Sequence, residues 1–135
     1  MELVQVLTID FEHSDERGRL TQLVHEGFQQ VNVLTTRRGV TRGGHFHKLS
    51  REAFYVISGS VEVELKTAER SESAVFHAGD FFAVAPYVSH SMFFPEDCVM
   101  VQMYDRPVEQ PNGEKDIYSE ALLFGERKKG EASCT

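Results

Sequence analysis

The chain has 135 residues, with 14 Lys and Arg against 21 Asp and Glu, a formal net charge of −7 and 41% hydrophobic residues. A single chain of this length buries roughly two-thirds of the surface its unfolded form exposes, so it reads as one globular domain rather than a disordered segment. The acidic balance excludes nucleic acid and an anionic membrane as main partners and leaves a small anionic ligand open.

Acidic Glu2 and Asp10 stand where a signal peptide carries positive charge and an apolar run, and no segment approaches the roughly 18 apolar residues of a membrane span. Cys98 and Cys134 build no disulfide framework, so a cytoplasmic location is expected. Short alternating runs bounded by Gly, Pro or polar clusters then follow one another at Val4–Phe11, Arg19–Val24 and Gln30–Thr35. The stretch AFYVISGSVEVELK reads as a hairpin turning at Gly59-Ser60, with Val61, Val63 and Leu65 on an apolar face and Glu62 and Glu64 on a wet one. Ala74–His77, Phe81–Ala85, His90–Phe94 and Cys98–Tyr104 continue the pattern, which predicts an all-β antiparallel sandwich or barrel. One helix is predicted from about Ile117 to Phe124, with Ile117, Ala121 and Phe124 on one face, and GERKKGEASCT reads as a frayed tail. The expected division is a barrel over residues 1–106 and a C-terminal extension with a polar tail over 107–135.

Four residues stand out by spacing: His45, His47, Glu52 and His90. Positions i and i+2 of a strand share a face, so His45 and His47 set two imidazoles side by side. With a carboxylate and a third imidazole they form a ligand set suited to Zn, Fe, Ni, Mn or Cu. His13, His25 and His77 have no comparable partners and read as surface or core residues.

The spacing Gly39, five residues, His45-x-His47, four residues, Glu52, six residues, Gly59 resembles the first signature motif of the cupin superfamily. Gly79 and His90 keep the separation of the second motif, although Val88 and Phe94 replace its usual glycine and asparagine. The resemblance covers about Val4 to Tyr104 and implies a cupin double-stranded β-helix, a jelly-roll barrel whose ligands converge inside its mouth, followed by a short C-terminal helical appendage. It also implies a homodimer formed by strand exchange.

Three strings narrow the resemblance. DERGRLTQL at Asp15–Leu23 looks like the opening shared by cupins acting on nucleotide-linked sugars, and TRGGHFHK at Thr41–Lys48 resembles the dTDP-4-oxo-6-deoxyhexose 3,4-ketoisomerases. PYVSHSMFFPEDCVMVQMYDRP at Pro86–Pro107 looks like the ketoisomerase strand pair. Ketoisomerases usually carry Gln at the position of Glu52, whereas the cupin half of capsular UDP-sugar enzymes carries Glu. The resemblance therefore implies an isomerase or epimerase of a dTDP- or UDP-linked 4-keto-6-deoxy sugar in surface polysaccharide synthesis, working by proton abstraction alpha to the keto group.

A His near pH 7 serves as base and acid in turn, and the resemblance implies that His45 and His47 are the acid/base candidates, with Tyr104 or Tyr55 supplying a phenol. Arg17, Arg42, Lys48 and Tyr55 are the substrate-binding candidates, the arginines gripping phosphate oxygens. Arg37-Arg38 reads equally as a solvated turn pair. If His45, His47, Glu52 and His90 instead hold one divalent transition metal (Zn, Ni, Fe or Mn), the ion polarises the keto oxygen and the imidazoles no longer shuttle protons. No organic cofactor is expected. The competing expectations are a metal-dependent cupin acting on another small molecule, as a dioxygenase or lyase, and a non-catalytic cupin that binds a sugar or metabolite.

Overall fold

In the computed structural model, which describes residues 2–124, the predicted strands assemble into two five-stranded antiparallel sheets and one hairpin. The strands are β1 (Val4–Val6), β2 (Phe11–Asp15), β3 (Gly18–Gln22), β4 (Gln30–Thr36), β5 (Thr41–Phe46), β6 (Glu52–Ser58), β7 (Ser60–Lys66), β8 (Ser71–His77), β9 (Phe81–Val84), β10 (Ser89–Phe93), β11 (Cys98–Tyr104) and β12 (Tyr118–Ser119). One sheet runs β1-β9-β6-β11-β4 and the other β12-β5-β10-β7-β8, while β2 and β3 form the separate hairpin. This is the cupin double-stranded barrel.

Period-two patterning explains which face of each strand is buried. Along β7, Val61, Val63 and Leu65 are buried while Glu62 and Glu64 are exposed. Phe54, Val56, Phe82, Met92, Phe94 and Met100 meet them from the neighbouring strands to form the main core. Phe82 stacks on Phe76 with centroids 3.9 Å apart and on Phe54 at 5.2 Å. Phe46, Phe54 and Phe82 are thus core residues.

The structure departs from the sequence expectation at three places. β6 and β7 are not a hairpin: β6 pairs with β9 and β11, and β7 with β8 and β10. Local alternation reveals the turn at Gly59 but not the change of sheet. Gly59 makes that change with φ +84, and a Cβ there would run into the Asp97 carbonyl. The run expected over Val4–Phe11 is divided into β1 and β2. The helix expected over Ile117–Phe124 is shortened to a 3-10 helix over Glu120–Phe124, because Tyr118 and Ser119 pair with Phe46 and His45 and so satisfy the open edge of β5. Phe124 is half exposed and Ile117 buried, so the expected common face does not exist. Residues 125–135, including the tail and Cys134, lie outside the described residues. Among the described residues no helix is long and apolar enough to cross a membrane.

Because Phe82 is wholly buried between two aromatic rings, Phe82→Ala is expected to cost about 3–5 kcal/mol, read as a lower urea midpoint with an unchanged m-value.

Candidate active site

The two sheets meet at one end of the barrel around a cavity of about 560 Å³. His45, at the end of β5, stands directly opposite His90 on β10, and their ring centroids are 4.7 Å apart. Close approach of these strands depends on Gly43 (φ +107), where a Cβ would lie 2.5 Å from the His90 carbonyl oxygen. His47 follows β5, with its ring 5.3 Å from His45 and 5.9 Å from His90. Glu52 opens β6 on the other sheet, opposite Tyr104 of β11. All four ligand-type residues are buried, and their donor atoms lie within 4.8 Å of one another.

The chemistry of the cluster follows from the Glu52 carboxylate, which is 1% exposed. Its Oε1 lies 3.0 Å from Nε2 of His47 and 3.0 Å from Nε2 of His90. Its Oε2 accepts a hydrogen bond from Gln102 Nε2 at 2.7 Å. The Asp116 carbonyl faces His47 Nδ1 at 2.6 Å, so Nδ1 carries a proton. Nε2 of a neutral His47 would then turn a lone pair toward a carboxylate oxygen, and two acceptors 3.0 Å apart require a proton or a cation between them.

Burial opposes charge on His47, but the hydrogen bond and charge of Glu52, with help from Asp116, raise its pKa above the usual imidazole value. Burial likewise acts to raise the Glu52 carboxyl, yet the charge of His90 and the ring contacts of both histidines hold it far below the ordinary carboxylate range. Tyr104 packs edge-on against His47, with centroids 5.2 Å apart. Its phenol is pushed well up by burial and then by the adjoining Glu52 charge, so it stays protonated.

These residues fit one divalent transition metal. Three imidazoles and a carboxylate are the donor set such ions take. His90 Nε2, buried and 3.0 Å from Glu52, makes no directed hydrogen bond, a state that a metal ligand resolves. A backbone carbonyl on the second nitrogen, as on His47, is the usual support for a ligating imidazole.

The structure sorts the other sequence candidates. Arg42 and Tyr104 line the cavity with His45, Glu52 and His90. Arg42 is steadied there by Thr36 Oγ1, which accepts from its Nε at 2.9 Å. Three candidates lie elsewhere. Arg17 sits at the tip of the β2–β3 hairpin, exposed and bonded to Asp15 at 2.7 Å, a local pairing that the turn itself enforces. Tyr55 is an odd number of residues from Glu52, so strand alternation turns it to the outer face of its sheet, against Phe81. Lys48 places its ammonium over the ring of Tyr118, 4.3 Å from the centroid.

Sequence reasoning missed Asp116, Gln102 and Lys115. Asp116 is buried, and its carboxylate accepts from the backbone N–H groups of Lys48 (2.8 Å), Leu49 (3.0 Å) and Ser50 (3.0 Å) and from Ser50 Oγ (3.1 Å). It therefore fixes both the His47 ring and the loop that leads to Glu52. No local signal marks it, since its partners lie 66–69 residues away. Gln102 was accessible to alternation, being two residues from Tyr104 on the same strand.

The family described as polysaccharide biosynthesis C-terminal domain matches residues 13–96. A curated relative, the UDP-2-acetamido-2,6-beta-L-arabino-hexul-4-ose reductase of Pseudomonas aeruginosa, is 36% identical over 55 residues, which span 40% of this chain and 15% of that protein. Among solved structures, a variant of the 3,4-ketoisomerase QdtA of Thermoanaerobacterium thermosaccharolyticum in complex with TDP-4-keto-6-deoxyglucose has 21% identity and a TM-score of 0.75, covering 96% of this chain and 97% of that one. A double variant of QdtA with TDP has 26% identity and a TM-score of 0.66, over 78% and 82% of the two chains. The capsular polysaccharide assembling protein CapF of Staphylococcus aureus has 22% identity and a TM-score of 0.57, over 81% of this chain and 33% of that one.

Removing the buried Asp116 carboxylate orphans four donors. Asp116→Ala is expected to destabilise the fold by about 2–3 kcal/mol and to speed hydrogen exchange at the amides of Lys48, Leu49 and Ser50, with Asp116→Asn milder on both counts.

Proposed function

The chain belongs to the polysaccharide biosynthesis C-terminal domain family, and from that premise we propose that it is an isomerase or epimerase of a dTDP- or UDP-linked 4-keto-6-deoxy sugar in surface polysaccharide synthesis. The observation that carries this reading is the buried cluster of three imidazoles and a carboxylate at a cavity that also presents two cations, Arg42 and Lys115. Neither cation takes part in an ion pair among the described residues. In a chain of net charge −7, these two cations, which share the lining with the carboxylates of Glu52 and Glu109, suit the oxygens of a diphosphate. The TDP-4-keto-6-deoxyglucose held by the QdtA variant and the UDP-linked hexulose in the name of the Pseudomonas aeruginosa reductase are in keeping with this.

The reaction needs a proton taken from the carbon beside the keto group. Its loss from C3 leaves an enolate over C3 and C4. Return to C3 from the other side gives the epimer. Return to C4, with O3 giving up its proton and O4 taking one, moves the keto group. His45, on the cavity wall, is suited to take the C3 proton, and a positioned imidazole contributes typically about 10²–10⁴-fold. His47, fixed by Asp116 and Glu52, supplies positive charge beside the developing enolate. Tyr104, held protonated on the cavity wall, is suited to donate a hydrogen bond to the sugar oxygen.

His45, His47, Glu52 and His90 are also the residues that would hold one Zn, Ni, Fe or Mn ion, and the chemistry supplied on binding is polarisation of the keto oxygen. In that state the imidazoles would serve as ligands, and the base would have to be another group of the cavity lining, which carries Glu109 and Lys115 beside the protonated Tyr104. No organic cofactor enters this scheme. We further read the chain as a cytoplasmic homodimer. Buried Cys98 carries a free thiol, and Val31 and Val33 are 60% and 66% exposed on the edge strand β4, an apolar surface suited to a second copy.

With dTDP- and UDP-linked 4-keto-6-deoxyglucose in deuterated buffer, NMR is expected to show deuterium entering at C3 of one of them, and His45→Asn to slow that exchange by about 10²–10⁴-fold. Elemental analysis of the same protein assigns His45 as base or ligand. A metal-loaded protein that leaves both sugars untouched overturns the reading in favour of another small-molecule cupin chemistry.

A further inference from the structure

The inner wall formed by β4 and β11 is apolar at Leu34 and Met100, yet the same face carries Gln30, Asn32 and Gln102, and all three amides line the cavity. Gln30 has a structural use, since its Oε1 accepts from the Val108 backbone N–H at 3.0 Å. Asn32 and Gln102 are direct register partners across the two strands, and they are bonded in one direction. A carboxylate with its proton lost only accepts, so the amide group that Gln102 turns to Glu52 Oε2 at 2.7 Å must be its NH₂. That choice turns Gln102 Oε1 to Asn32, where only the Asn32 NH₂ can answer, and it does so at 2.9 Å. The order of donors therefore propagates from the buried carboxylate outward to the cavity wall.

We infer that Asn32 is a positioning residue of this site: by donating to Gln102 Oε1 it holds the Gln102 amide in the orientation that the Glu52 carboxylate selects, and so keeps Oε2 with Gln102 and leaves Oε1 to His47 and His90. The kinetic part of this inference rests on the function proposed above; the geometric part does not. Two amides on a wall that aliphatic side chains would fill are costly to desolvate unless bonded, and the two bonds they make run in one direction, toward the carboxylate. Aspartate at position 32 has the same shape but only accepts. The Gln102 NH₂ would then be sought from both sides, and Glu52 Oε2 would lose or share its donor.

The test uses the purified full-length chain with Asn32→Asp, Gln102→Leu and the double variant. Asn32→Asp is expected to lower kcat on the deuterium-exchanging nucleotide sugar by about 10–100-fold, with KM within about threefold. The double variant is expected to be no slower than Gln102→Leu alone, because both changes act through one path. In long-range ¹H–¹⁵N spectra, the ring nitrogens of His47 and His90 are expected to shift in Asn32→Asp and Gln102→Leu alike. Should Asn32→Asp not fold, Asn32→Leu, which removes the donor without adding charge, is expected to give the same ring shifts and the same non-additivity. Rate losses that multiply in the double variant, a KM that rises more than about tenfold at constant kcat, or ring spectra that superimpose on those of the native chain would each overturn the inference. If the native protein turns over no nucleotide sugar, the functional reading fails and the ring spectra alone decide the positioning role.

Discussion

Everything at the mouth of the barrel is organised around one buried negative charge. An isolated carboxylate in a protein interior costs several kcal/mol even after relaxation, and Glu52 is almost wholly shielded from water. It is tolerated because two imidazole nitrogens share one oxygen and a glutamine amide holds the other. Each of those partners is fixed in turn: His47 by Asp116, His90 by its place opposite His45, and Gln102 by Asn32. Positive charge, whether a proton on an imidazole or a bound cation, is thus built into the stability of this end of the fold and is available for use on a substrate.

The rest of the barrel serves as the frame for that arrangement. The aromatic stack of Phe76, Phe82 and Phe54 fills the space between the sheets and ties β8 of one to β9 and β6 of the other. Gly43 lets β5 come close to β10, and Gly59 sends the chain from one sheet to the other. Polar residues on the inward face of β4 and β11 would be expensive in a closed core; they are affordable because the cavity admits solvent and because they bond to one another.

Much of this was legible in the amino-acid order. Alternation located the strands, and the spacing of His45, His47, Glu52 and His90 located a cluster that the structure does bring together. What stayed hidden was long-range. That β6 and β7 belong to different sheets depends on partners distant along the chain, and Asp116 carries no local mark of its tie to His47. Two misplacements are instructive. Counting from Glu52 by twos would have put Tyr55 outside, and the Asp15–Arg17 pair is a turn interaction whose residues also suit a phosphate grip. The helix expected near the C-terminal end gave way to an edge pairing, because an open strand edge has hydrogen bonds to offer that periodicity does not register.

The residue that steadies His47 stands at position 116, after every strand of the β1-β9-β6-β11-β4 sheet has been completed. During synthesis from the N-terminal end, the barrel wall can therefore collapse while the loop at Lys48–Ser50 still lacks its carboxylate cap. The reactive end thus leans on a cap supplied from beyond the last core strand, so a chain cut after β11 would keep every strand of that sheet yet leave the Lys48–Ser50 amides without their carboxylate.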